Sequence, residues 1–224
     1  MNHIIFFFHT IFITGTALYS FFLGREALIA FICLQGILAN LFVIKGITFL
    51  GISATAADGY IIGGMCGFHL LQEFHGKEYA RKTIFISFVL LLFYTIVSQI
   101  HLVYIPATSD ITQPHFAALF NYMPRIVAAS LTAYGISQYT DLVLFGLLKK
   151  LFNGNYFVVR NYLCATVSQL VDTLLFAFLG LYGVVPHIEQ VILISYGIKM
   201  IGLLVSSPCM LLAKKLYSLP LATE

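Results

Sequence analysis

Apolar residues run through this chain in seven long blocks, at about 4–23, 27–45, 54–74, 83–104, 124–148, 161–183 and 190–213. A helix rises 1.5 Å per residue and needs about 20 apolar residues to cross a bilayer, so each block is long enough for one span. The blocks are continuous, whereas a strand of a membrane barrel alternates apolar and polar positions over about ten residues; the pattern predicts helices. The third block is the least apolar. It holds Asp58, His69, Gln72 and Glu73, together with Gly59, Gly63, Gly64 and Gly67. The stretch 105–121 is the longest connection; it contains Pro106, Asp110 and Pro114 and has no Lys or Arg.

Basic residues orient the spans. If seven helices alternate, Arg25, Lys77, Arg81, Lys82, Lys149, Lys150, Arg160, Lys214 and Lys215 share one side, while only Lys45 and Arg125 fall on the other. Cytoplasmic loops collect positive charge, so the N-terminus is expected outside and the C-terminus in the cytoplasm. Omitting any one span would scramble this separation. Composition agrees: the chain is 60% hydrophobic and 9% charged, against about 25% charged residues in a soluble domain. We therefore expect an all-α integral membrane protein, with residues 1–224 forming a single transmembrane domain. The net charge of +3 does not point to nucleic acid, because the basic residues flank spans. The first block lacks a basic leader and reads as a retained span, not a cleaved signal. Cys33, Cys66, Cys164 and Cys209 are scattered without a CxxC pair and read as small packing residues, not as disulfides or metal ligands.

Against this background one repeat stands out. Ser137-Gln138-Tyr139-Thr140-Asp141-Leu142-Val143-Leu144-Phe145 and Ser168-Gln169-Leu170-Val171-Asp172-Thr173-Leu174-Leu175-Phe176 match at Ser, Gln, Asp, Leu and Phe. Both copies lie inside apolar blocks, where an ionisable residue costs about 2.5–3.5 kcal/mol by insertion scales and is usually functional. Counted from Lys149, Asp141 lies about 12 Å and Gln138 about 16 Å from the cytoplasmic end. Counted from Arg160, Gln169 and Asp172 lie about 14 and 18 Å in, so both pairs are near the middle of a hydrocarbon core about 30 Å thick. Spans five and six run in opposite directions, which makes the copies a short inverted repeat, a pattern found in transporters with sites near the midplane. Within each copy Ser, Asp and Phe recur every four residues on one helix face, with Gln beside them. Two readings stay open: Gln and Asp tie the two helices together by hydrogen bonds, or they flank a cavity that takes a ligand. Facing carboxylates repel unless protonated or bridged by a donor, which favours the cavity.

Other polar residues reach comparable depth. His69 is about 12 Å from the cytoplasmic end, with Glu73 one turn below it on the same face. Asp58 is near the outer end of the third span and Arg125 at the outer end of the fifth. Asn161 lies just inside the cytoplasmic end of the sixth. Lys199, in the outer half of the last span, requires a carboxylate partner and serves either a site or helix packing. His69 and Glu73 at i and i+4 also suit a metal or a proton relay, but no third ligand, HExxH or GxSxG accompanies them. An intramembrane enzyme is accordingly the weakest reading. No cofactor, catalytic residue or metal is expected.

These residues resemble the queuosine precursor transporters, a family also grouped as vitamin uptake transporter-like proteins of bacterial inner membranes. The matching motifs are Ala39-Asn40 before Lys45; Glu73 with Gly76-Lys77 and Ala80-Arg81; Pro124-Arg125 with Ala129-Ser130; the two Ser-Gln repeats; Leu148-Lys149; Arg160-Asn161; Tyr182-Gly183; and Lys199 followed by Pro208. Only the first span lies outside them, which suggests a six-helix core plus an extra N-terminal span. The sequence departs from the family pattern at Phe68 and His69, where Thr-Asp is usual, and at Asp58, where many relatives carry Asn. The resemblance implies uptake of a 7-deazaguanine base: the cyano or aminomethyl precursor, or queuine. A carboxylate accepts the paired N–H groups of such a base, Gln serves its carbonyl edge, and Phe145 and Phe176 stack on its faces. Asp141, Asp172, Gln138 and Gln169 are the expected core of the site, with His69 and Glu73 lining it and Arg125, Asn161, Lys199 and Asp58 in support. A membrane subunit that needs an ATP-driven partner is the alternative, although this chain has no GxxxxGK[ST] of its own. The expected partners are the base and the lipid bilayer, with homo-oligomerisation left open.

Overall fold

The structure is a computed structural model that describes the backbone of residues 1–153 and 157–217, and the side chains within those segments apart from 149, 157–158, 160–161 and 204–217. Every apolar block is helical: α1 (Asn2–Leu23), α2 (Arg25–Phe42), α3 (Asp58–His75), α4 (Lys77–Val103), α6 (Met123–Leu151), α7 (Phe157–Phe176) and α8 (Ile188–Tyr217). Four stretches, Asn2–Leu23, Arg25–Phe42, Lys77–Val103 and Tyr162–Leu181, are each long and apolar enough to cross a membrane, among the described residues. Their outward faces are apolar. Phe12 on α1 is 73% exposed and Phe93 on α4 is 64% exposed, as befits helices whose solvent is lipid.

Three local features depart from the expected blocks. The second block ends early, at Phe42, and residues 46–55 form a hairpin of β1 (Gly46–Phe49) and β2 (Ile52–Thr55), paired antiparallel with Gly46 opposite Thr55. Its turn residues Leu50 and Gly51 have φ of 51° and 83°, the left-handed pair that a two-residue hairpin turn requires. The hairpin is tied down at both edges: the Asn2 amide donates to Thr48 O at 3.0 Å, and the Ser53 N–H donates to Gln190 Oε1 at 2.9 Å. The long connection carries a short helix, α5 (Gln113–Phe120), with Pro114 in its first turn, where a missing N–H leaves no hydrogen bond unmade. After Phe176 the sixth block widens into a π-helical turn, Ala177–Leu181, whose freed carbonyls need other donors.

Those donors come from Arg125 in the first turn of α6. Its Nε donates to Leu179 O at 2.8 Å and its guanidinium NH2 to Tyr182 O at 2.7 Å. Arg125→Ala should therefore lower thermal stability in detergent by about 1 kcal/mol. An unchanged melting temperature would show that the π turn stands without these two hydrogen bonds.

The glycines of α3 decide how close α1 and α2 approach. A Cβ at Gly63 would overlap the Ile13 side chain, one at Gly67 would lie 3.0 Å from Ile32 Cγ1, and one at Gly59 would lie 3.1 Å from His9 Nδ1. Around this contact Ile13, Ala17, Phe21, Leu28, Phe31, Cys66, Leu70 and Leu71 form one buried cluster. A second cluster, with Val43, Ala57, Met123, Ile126, Leu181, Val185 and Val191, joins the C-terminal end of α2, the start of α3 and α6, the π turn and α8. Cys33, Cys66 and Cys164 are buried.

Candidate functional site

Packing α2, α3, α4, α6, α7 and α8 together leaves a cavity of about 460 Å³ near the middle of the helices, within the range of about 300–1,000 Å³ typical of small-molecule sites. Val43, Ala57 and Phe176, which belong to or pack against the second apolar cluster, form its wall at the hairpin end of the molecule. The rest of the wall mixes amides, hydroxyls and rings.

The charged centre is an ion pair. Lys199 Nζ donates to Asp172 Oδ2 at 2.6 Å and to Thr173 Oγ1 at 3.1 Å. Lys199 is 8% exposed by its side chain and Asp172 22%, so the carboxylate keeps an open side toward the cavity. A lysine so placed satisfies the requirement that buried charge be paired. Beside this pair stand Gln169 one turn back on α7, and Ser137, Gln138 and Tyr134 on α6. His69 enters from α3 and Gln35 and Asn40 from α2.

Three polar atoms on this wall lack a hydrogen-bond partner among the described residues: Gln35 Oε1, Asn40 Oδ1 and His69 Nδ1. The Asn40 amide N–H is used, donating to Gly36 O at 2.8 Å, while its carbonyl oxygen is buried. A buried orphan acceptor costs about 1–3 kcal/mol unless something fills it. Rings flank the same space: Phe68, Phe88 and Phe176 line it, and Phe88 meets Tyr134 edge to face at 5.2 Å.

The repeat has a definite register here. Arg125 meets Leu179 and Tyr182 near one end of the α6–α7 pair, and Ser168 Oγ lies 3.4 Å from Asp141 Oδ1 toward the other, so the two helices run antiparallel. Gln138 and Gln169 thereby fall at nearly the same level. The two aspartates lie one turn from their glutamines in opposite senses, about 9 Å apart along the helices. Facing carboxylates therefore do not occur: Asp172 lies against Lys199, and Asp141 takes the Ser168 hydroxyl outside the cavity wall.

Of the residues singled out from the sequence, the cavity brings together Gln138, Gln169, Asp172, His69, Phe176 and Lys199. Asp141, Glu73, Phe145 and Arg125 do not line it. Asp58 lines a separate, much smaller cavity behind Lys199. Asn161 lies outside the described side chains. Gln35, Tyr134 and Ser87 line the wall without a signal from the sequence; Asn40 and Ser130 belonged to the Ala39-Asn40 and Ala129-Ser130 motifs, which marked them as part of the family pattern. No group of His, Cys, Asp and Glu among the described residues is arranged to hold a metal ion.

A sequence profile described as "Putative vitamin uptake transporter" matches residues 66–213. The chain is also 34% identical over 199 residues, 86% of each chain, to a protein of Bacillus subtilis (strain 168) named "Probable queuosine precursor transporter". The chain belongs to this vitamin uptake transporter family. It is a multi-pass membrane protein of a transporter family, and the cavity just described lies within the matched region apart from its α2 wall and the first turns of α3. No solved structure matches the chain.

Proposed function

We propose that this protein carries a queuosine precursor, a 7-deazaguanine base, inward across the bacterial inner (cytoplasmic) membrane. The observation that carries the reading is the Asp172–Lys199 pair on the cavity wall, an acceptor and a donor side by side. The guanine-like edge of such a base presents a carbonyl, a ring N–H and an exocyclic amine in a row. Asp172 accepts the two N–H groups as a charge-assisted pair, and Lys199 donates to the carbonyl. Gln138 and Gln169, level with each other, hold the remaining polar edge, and Gln35, Asn40 and His69 line the rest of the wall. Phe176 and Phe68 sandwich the ring, a contact worth about 1–3 kcal/mol per base.

In this reading all seven long helices cross the membrane, with the N-terminus outside, and the Ser-Gln repeat of α6 and α7 is the inverted pair at its centre. The nine-to-two split of basic residues supports that topology. The apolar cluster at the hairpin end closes the outer mouth, and alternating access opens it. Asp141, Glu73, Asn161 and Phe145 stand toward the cytoplasmic half, on the exit side of the base.

The edge reading is tested by ligand chemistry. Purified protein should bind 7-cyano-7-deazaguanine at least about tenfold more tightly than the same base lacking its 2-amino group, because half of the Asp172 pair is then lost. Equal affinities for the two would remove Asp172 from the recognition of that edge.

A further inference from the structure

Behind Lys199 lies a second cavity of about 30 Å³, walled by Asp58, Thr55, Thr173 and Ser195 among apolar side chains. Its volume suits one water molecule. Val43, Ile61, Phe176 and Lys199 line both this cavity and the large one. Lys199 is therefore the polar part of the wall between them. Asp58 is 1% exposed, and its Oδ2 accepts the Ser195 hydroxyl at 3.1 Å and the Thr55 hydroxyl at 3.4 Å.

The charges do not balance. Among the described residues, the two cavities are lined by two carboxylates, Asp58 and Asp172, and one ammonium, Lys199. That ammonium is committed to Asp172 at 2.6 Å. Among the described residues, neighbouring elements supply no other cation to Asp58: Lys45, whose carbonyl accepts the Ala56 N–H at 3.0 Å, is exposed. His9 of α1 packs against Gly59 and meets Tyr60 edge to face at 4.8 Å, and His187 and Glu189 of α8 face each other at the surface, 3.7 Å apart. A buried charge left unpaired is strongly unfavourable. One further positive charge is required, and the water-sized cavity with its mostly apolar wall has no room for a hydrated metal ion. Hydroxyls at Thr55 and Ser195 accept a hydrogen bond as readily as they donate one. The place of Asp58 in the first turn of α3 also keeps its ionised form within reach, so that the proton can leave again.

We propose that Asp58 is the proton-binding site of this carrier, and that Lys199 links it to the base at Asp172, so that base and proton cross together. The link has a definite sign. With Asp58 neutral, Lys199 stays on Asp172 and donates to the base. With Asp58 ionised, the ammonium is drawn toward it and away from the base carbonyl. Base binding thus favours proton binding, and the reverse holds by linkage. The step is one protonation, a carboxylate oxygen gaining a proton from the outer aqueous phase and yielding it to the cytoplasm; no bond in the base changes. This inference rests on the base-binding reading of the large cavity, and its test separates the two.

The full chain is purified and titrated by infrared difference spectroscopy. Wild-type protein should show the C=O band of a buried carboxylic acid that fades as pH rises, and Asp58→Asn should lack it. Ser195→Ala, which keeps the carboxyl but removes one hydrogen bond, should shift that band. At a pH high enough for the infrared band of the ligand-free protein to have faded, the weakly buffered wild type should take up protons as 7-cyano-7-deazaguanine binds, up to about one per molecule, and Asp58→Asn none. In liposomes an acidic exterior should speed wild-type uptake, and the ratio of rates with and without the gradient should fall to one in Asp58→Asn. An unchanged band in Asp58→Asn, equal proton uptake by the two proteins, or uptake driven by a sodium gradient in place of the pH gradient overturns the proposal. If no deazaguanine binds the wild type, the base-binding reading fails, while the infrared band still decides the role of Asp58.

Discussion

Replacing Asp172 by Asn is expected to reduce uptake about 100-fold or more, the largest functional loss of any single substitution in this chain. Two effects contribute. The amide offers one acceptor where the carboxylate offers two, so the paired N–H groups of the base lose a charge-assisted partner. Lys199 also loses its counter-ion at 2.6 Å, and breaking a buried pair from one side costs about 3–5 kcal/mol. The second effect lowers stability as well as binding, and the two are separated by the double variant Asp172→Asn with Lys199→Gln. Removing both charges should restore much of the thermal stability in detergent but none of the binding. Recovery of binding in the double variant would mean that Asp172 serves only to hold Lys199.

The largest structural effect is expected at Gly63. A methyl group there would overlap Ile13, which is 4% exposed at the centre of the α1–α3 contact. Relief needs a new Ile13 rotamer or a shift of α1, so Gly63→Ala should destabilise the protein by about 1–3 kcal/mol, measured as a fall in the melting temperature in detergent. Adding Ile13→Ala should recover part of that loss by making room for the methyl. Gly15→Ala on α1 is the matched comparison: nothing lies within 4 Å of its Cβ position, and alanine favours helix there. Equal melting temperatures for Gly63→Ala and Gly15→Ala would show that α1 does not pack on α3 at this distance.

The helical skeleton was legible because lipid leaves few choices. Backbone groups in hydrocarbon must bond internally, so each long apolar block had to be a helix. What the blocks could not show were the features made by short-range chemistry. The hairpin at 46–55 has only four residues per strand, too few for an alternating pattern to stand out in the short connection between the second and third blocks. The π turn at Ala177–Leu181 depends on Arg125, 54 residues earlier, donating to a carbonyl. Helix α5 begins at a proline pattern that reads equally well as a loop.

The site was legible in part for a related reason. A polar residue in an apolar block is conspicuous, and Gln138, Gln169, Asp172, His69 and Lys199 all reach the cavity wall. The repeat suggested equivalent roles for Asp141 and Asp172, but an antiparallel register puts the glutamines level and the aspartates on opposite sides of them. Only one aspartate can then share a layer with Lys199. Gln35 left no trace in the sequence reading, since a lone glutamine in a span has no partner in the sequence to mark it; only folding places it opposite α6 and α7.

The most direct test of the central claim uses a bacterium unable to make queuosine and lacking its own uptake system. It is given this protein and fed, in turn, 7-cyano-7-deazaguanine, 7-aminomethyl-7-deazaguanine and queuine, and its tRNA is analysed for queuosine. We predict that queuosine appears with at least one of the three and disappears when the protein carries Asp172→Asn. Absence of queuosine with all three, in cells whose membranes contain the folded protein, would contradict the account.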